Sequence, residues 1–203
     1  DEDNHYISMD YENATVTDIN GETRQFVPAE YSIKNDLYSQ NQIDFIDKYL
    51  NNLFKIVYEA CENGKYYKFD ENYDLVDSDV TTAEEAVSAV MDIDSVRDMY
   101  ILYEIVHDYD CGEGSFYMCV DLSKDSKCPK LKFTSPWDFN WAYNDSTEKY
   151  YAGAFTDKNF VAKKGDRSNP WFIILCKQDW FMDSVKEKWT EMSREKLLQD
   201  RKS

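Results

Sequence analysis

Histidine is scarce: His5, near the chain start, and His107, at a predicted helix end, are the only two in 203 residues, which disfavours a nucleophilic triad. The five cysteines, Cys61, Cys111, Cys119, Cys128 and Cys176, form no C-x-x-C pair and have no set of nearby histidines to complete a zinc site, which argues against structural zinc. Cys119 and Cys128 could face each other across a hairpin as a disulfide, but the odd total leaves at least one thiol free, and buried reduced cysteines are common. No apolar run approaches the roughly eighteen residues of a membrane span, and residues 1–20 are too acidic and polar for a signal peptide. Basic residues number 23 against 40 acidic ones, and the resulting charge of -17 argues against a phosphate-backbone footprint for DNA or RNA. There is no P-loop or other glycine-rich phosphate cradle, no internal repeat and no low-complexity stretch.

What remains is enough chain for one sizeable domain with a real core, or at most two small ones, and one domain is expected. Its acidity is compatible with a cationic protein substrate and equally with simple solubility. The chain begins Asp1-Glu-Asp without methionine, and His5-Tyr-Ile-Ser-Met-Asp10 already alternates like a strand, so we expect the start to be a cut in a larger protein. Residues 5–10 and 24–34 read as strands, with Asp18-Ile-Asn-Gly21 as a turn between them and Pro28 limiting the second.

Ser39-Gln-Asn-Gln42 reads as a capping box. After it Ile43, Ile46, Leu50, Leu53, Phe54, Val57 and Cys61 recur at helical spacing until Gly64, which predicts a long core helix. Tyr66, Tyr67, Phe69 and Tyr73 follow in an acidic linker, where packing on that helix explains them better than stacking on bases or sugars. Thr82-Ala-Glu-Glu85 is a second capping box, opening a short helix through Met91. Asp94 or Ser95 is expected to cap a helix from Val96 to about Val106, with Val96, Met99, Tyr100, Tyr103 and Val106 on its apolar face. Hairpin arms are expected at Ser115–Val120 and Pro129–Phe133. Asn169-Pro170 should start a helix to about Lys177, and Asp179 should cap a last amphipathic helix through Phe181, Val185, Trp189 and Met192. A frayed charged tail is expected from Ser193.

Two acidic loops flank the predicted hairpin: Asp108-Tyr-Asp110-Cys-Gly-Glu-Gly-Ser115 before it and Ser135-Pro-Trp-Asp138-Phe-Asn140-Trp after it. A helix C-terminus carries partial negative charge, so carboxylates just beyond one call for a cation or a basic side chain, unless the loop is simply solvated. Magnesium takes a few hard oxygen ligands and leaves its other positions to water and phosphate. The order E-x-x-x-N/D-x-D (Glu104, Asp108, Asp110), S-x-Y (Ser115, Tyr117), P-W-D-F-D/N (Pro136 to Asn140) and W-x-x-x-L-x-x-x-x-x-F (Trp171, Leu175, Phe181) resembles the C-terminal part of the CotH family of atypical, kinase-like proteins.

That resemblance implies an α+β, kinase-like fold, a mostly helical C-terminal lobe with a small β hairpin or sheet. Residues 1–38 would end a β-containing lobe, 39–192 would form the helical lobe with the acidic site, and 193–203 a tail. It further implies ATP as donor, Mg²⁺ or Mn²⁺ as metal, and a Ser or Thr of a coat or surface protein as acceptor. By the same resemblance Asp110 is catalytic, Asp138, Asp108 and Asn140 are metal ligands, and Lys34, in the position of an Ile-Lys pair, contacts the nucleotide. A lone lysine such as Lys34 is otherwise a solvated surface charge. Asn140 stands where many relatives have Asp, which removes a charge but keeps an oxygen. Arg97, Lys130 and Lys132 are further cations near the loops. The family resemblance allows a spore coat or cell-surface setting, and a non-catalytic adhesion or binding protein is the alternative function. A glycosidase could also use Asp110 and Asp138 among Trp137, Trp141 and Tyr143, but the motif order does not support it.

Overall fold

The computed structural model describes residues 5–9, 14–17, 23–25, 29–106, 108, 111, 114–141 and 169–200. The chain is α+β, with helices joined to two-stranded antiparallel sheets. It divides into two compact units, residues 1–90 with 158–166 and residues 91–157 with 167–203.

In the first unit β1 (His5–Met9) pairs with β4 (Ala29–Ile33), and between them β2 (Thr15–Thr17) and β3 (Thr23–Gln25) form a hairpin. The two strands expected over residues 5–10 and 24–34 are therefore four. The turn at Asp18–Gly21 lies outside the described residues.

Helix α1 (Gln40–Tyr58) buries Tyr49, Leu50, Leu53, Phe54, Ile56 and Val57, the 3.6-residue stripe legible in the sequence, and packs on β1, whose Ile7 and Met9 are buried. Its expected capping box is not made. The Gln42 side chain accepts from the Tyr38 N–H at 2.7 Å, but Ser39 makes no side-chain cap bond. The helix continues as a π turn (Glu59–Asn63) and stops at Gly64, whose φ of 62° is the left-handed conformation that glycine adopts without steric cost.

The expected linker is instead a hairpin of β5 (Tyr67–Phe69) and β6 (Leu75–Asp77). Phe69 stacks on Tyr49 at 5.4 Å, and Tyr73 meets Phe45 edge-on at 5.4 Å, so these aromatics pack against α1 as expected. Helix α2 (Ala83–Val90) closes the unit, buries Ala86, Val87 and Val90, and starts on the Thr82 hydroxyl, which accepts from the Glu85 N–H at 3.2 Å.

The second unit is built on α3 (Ile93–Val106), which starts earlier than expected. Its cap is Asp92, not Asp94 or Ser95: Asp92 Oδ1 accepts from Ser95 N–H at 3.3 Å, while Asp92 N–H donates to Leu131 O at 2.9 Å. The choice is tertiary, because Leu131 also bridges Met91 at the entrance to the hairpin of β7 (Tyr117–Cys119) and β8 (Lys132–Thr134). Ser95 Oγ then accepts from Phe133 N–H at 3.2 Å and ties β8 to α3.

Helix α4 (Pro170–Leu175) is apolar on every side and buried at every residue, as such a helix must be. Its Trp171 and Phe172 interlock with Phe116, Phe133, Tyr103 and Tyr100, with Phe181 beside Tyr100, mostly edge to face, and the Phe116 and Phe133 centroids are 4.7 Å apart. Helix α5 (Asp179–Asp200) continues through the segment expected to fray after Ser193. That segment holds arginine, lysine, glutamate and leucine without glycine or proline, and Ser193 Oγ donates to Trp189 O at 2.8 Å. All five cysteines are free thiols, so the Cys119–Cys128 disulfide is not formed. Among the described residues no helix is long and apolar enough to cross a membrane.

Candidate functional site

The first acidic loop leaves α3 under restraint. Asp108 N–H donates to Tyr103 O at 3.0 Å, and the Asp108 side chain is fully buried. Tyr103 lies fully buried beneath it; burial first, then the nearby Cys111 and Asp108, push its hydroxyl above the ordinary tyrosine range. Asp110 itself lies outside the described residues, but its neighbour Cys111 is buried and fastened. The Asn169 Nδ2 donates to Cys111 O at 3.0 Å, while Asn169 Oδ1 accepts from Trp171 N–H at 3.0 Å and Phe172 N–H at 3.3 Å. One amide thus caps α4 and holds Cys111, the residue that follows Asp110 in sequence. The Asn-Pro pair signals the helix start, but nothing local signals the bond to a residue 58 positions away.

The second loop leaves β8 through unusual backbone. Of the described non-glycine residues, Tyr73, Ser115, Ser135 and Asp138 have positive φ, and three of these bracket the β7–β8 hairpin. Asp138 has φ of 60°, a conformation that aspartate tolerates better than most residues. Ser115 and Asp138 are both motif positions, and sparsely populated backbone concentrates at functional sites. Asp138 and the nearby Asn140, in a 3-10 turn over Phe139–Trp141, are exposed, and Trp137 is 63% exposed.

The donors suit a hard cation in kind, since all are oxygens, and Asp138 and Asn140 sit two residues apart on one open loop. Among the described residues no three His, Cys, Asp or Glu side chains converge as a metal site. Asp108, buried, differs in setting from the exposed pair. Arg97 is already committed, with guanidinium nitrogens 2.7 Å from Asp94 and 2.9 Å from Asp98, and Lys132 lies 3.8 Å from Asp92. Lys34 is exposed just beyond β4, in the first unit.

Glu104, the first letter of the acidic motif, has a property that the sequence did not disclose. Its carboxyl is pushed up to about 7 by burial, against a smaller lowering by the Tyr100 hydroxyl. That hydroxyl also bonds the Cys176 thiol, and burial raises both Tyr100 and Cys176. Because the folded carboxyl binds its proton more tightly than an unfolded one, the folded state holds more protons between pH 4.5 and 7, and stability falls as pH rises through that window. Glu104→Gln stays neutral throughout. We expect it to match the parent at pH 5 and to be more stable by about 1–2 kcal/mol at pH 8, after discounting for solvent reach. Urea unfolding at the two pH values checks this, and an equal difference at both would refute it.

An α+β protein with two acidic loops set around one hairpin is the class that these observations define. The family model for CotH kinase protein matches residues 62–202, more than half of the chain, and the chain belongs to this family. The match takes in Asp108, Asp110, Asp138 and Asn140 but begins after Lys34, which rests on motif resemblance alone. No curated protein and no solved structure matches the chain.

Proposed function

We propose that this chain carries the catalytic portion of a kinase-like, metal-dependent enzyme that transfers the γ-phosphoryl group of ATP to a Ser or Thr hydroxyl of a coat or surface protein. The observation that carries the reading is the family match across both acidic loops. Asp110 accepts the proton of the acceptor hydroxyl. Asp138 and Asn140 hold the metal from the exposed loop, and Asp108 contributes only from its buried position. A bound Mg²⁺ or Mn²⁺ supplies charge neutralisation to the phosphates, which is most of what phosphoryl transfer requires beyond positioning. Lys34 is assigned to the nucleotide by resemblance.

A second reading, a non-catalytic surface or adhesion protein, is favoured by Asn140 in place of an acid and by the engagement of Arg97 with Asp94 and Asp98. Thermal unfolding of the full-length protein with ATP alone, metal alone and both separates the two. The kinase reading expects stabilisation only when both are present, about 2.7 kcal/mol at a hundredfold excess over Kd. No shift under any of the three conditions would reject it in favour of the binding protein.

A further inference from the structure

Tyr103 stands on the buried face of α3, in the last turn before the helix gives way to the first acidic loop, and none of it is exposed. Its ring lies beside Phe116 and Phe172, with centroids 6.2 and 6.3 Å away, contacts that phenylalanine would make as well. The hydroxyl is the part that packing does not explain. It is buried and has no hydrogen-bond partner among the described residues, and a sealed donor left unmatched works against folding. Burial raises it, so it stays protonated and a donor at neutral pH, and the groups that add to the shift are the nearby Cys111 and Asp108, both buried. Tyr103 O already accepts from the Asp108 N–H at 3.0 Å, so the backbone fastens the first residue of the loop to Tyr103.

We propose that Tyr103 is a positioning residue, whose hydroxyl donates to the Asp108 carboxylate and holds it as a metal ligand when metal and nucleotide are bound. Of the two neighbours the carboxylate is the stronger acceptor, because an ionised oxygen makes a charge-assisted bond while a thiol sulfur accepts only weakly. The Cys111 carbonyl already takes the Asn169 amide. A carboxylate that ligates a metal through one oxygen is oriented by a donor on the other, and such supporting partners set metal affinity. Asp108 is fully buried, so that donor has to be a side chain rather than bulk water. The inference rests on the kinase reading, in which Asp108 is a metal ligand, and adds the residue that aligns it.

The test is Tyr103→Phe in the full-length protein, read by urea unfolding without metal and by Mn²⁺ binding in the presence of ATP, followed through the loss of the free-ion electron paramagnetic resonance signal. Without metal we expect the variant to unfold at the same urea concentration as the parent or a higher one, because the hydroxyl has no bond there to lose. With ATP its Mn²⁺ affinity should fall about tenfold or more, the usual loss when the group supporting a metal ligand is removed. Asp108→Ala should lose at least as much Mn²⁺ affinity as Tyr103→Phe, since a positioning residue cannot matter more than the ligand it positions. A lower urea midpoint for Tyr103→Phe would make the hydroxyl a structural group and overturn the proposal. Unchanged Mn²⁺ affinity, or a smaller loss in a folded Asp108→Ala than in Tyr103→Phe, would overturn it too. A parent that binds no Mn²⁺ with ATP would remove the kinase reading and this inference together, whereas a parent that binds it and a variant that matches the parent would remove the inference alone.

Discussion

Replacing Asp138 by asparagine is expected to lower phosphoryl transfer by at least about a hundredfold while the protein stays folded. The estimate is conservative, because losing a group that merely supports a metal ligand already costs about 10- to 100-fold. Asparagine is the right substitute for a structural reason. Asp138 has φ of 60°, and asparagine shares the tolerance of aspartate for that conformation, whereas alanine or valine would add backbone strain to the loss of charge. The side chain is exposed, so no buried partner is orphaned. Asp110→Asn should also stop transfer yet leave metal-dependent nucleotide binding nearly intact, since its assigned role is toward the acceptor. The measurements are nucleotide affinity and self-phosphorylation of the full-length protein. If both variants bind ATP and label themselves as the parent does, the loops are solvated surface and the kinase reading fails.

The helices were legible wherever a 3.6-residue apolar stripe ended in a strong stop, as in α1 before Gly64. The errors fall where several residues compete for one local role. Asp92, Asp94 and Ser95 can all cap a helix, and the winner is the one whose backbone also reaches Leu131, a contact that no local pattern encodes. Strands β2, β3, β5 and β6 have three residues each, too few for alternation to register. Of the site, the motif order marked the two acidic loops. It did not distinguish a buried Asp108 from an exposed Asp138, because the burial of a residue is set by tertiary packing and not by its type or motif position. Glu104 was visible as a motif letter, but its perturbed carboxyl comes from a three-dimensional setting in which the Tyr100 hydroxyl reaches both Glu104 and Cys176.

Asn169→Ala is expected to cost about 3 kcal/mol, the sum of a lost helix cap of about 1 kcal/mol and a buried carbonyl left without its donor, about 1–3 kcal/mol. The residue is 1% exposed, so water does not replace either bond cheaply. Asn169→Ser separates the two contributions. Serine caps a helix about as well as asparagine, so α4 should keep its start, but its short hydroxyl cannot both accept from Trp171 and Phe172 and donate to Cys111 O. We therefore expect the serine variant to lose about half as much stability as the alanine variant in urea unfolding. On the proposed kinase reading, in which Asp110 serves the acceptor, both variants should also lower transfer more than nucleotide affinity, because Cys111 adjoins Asp110 in sequence. A serine variant as stable and as active as the parent would show that the Asn169–Cys111 bond does not hold Cys111 in place.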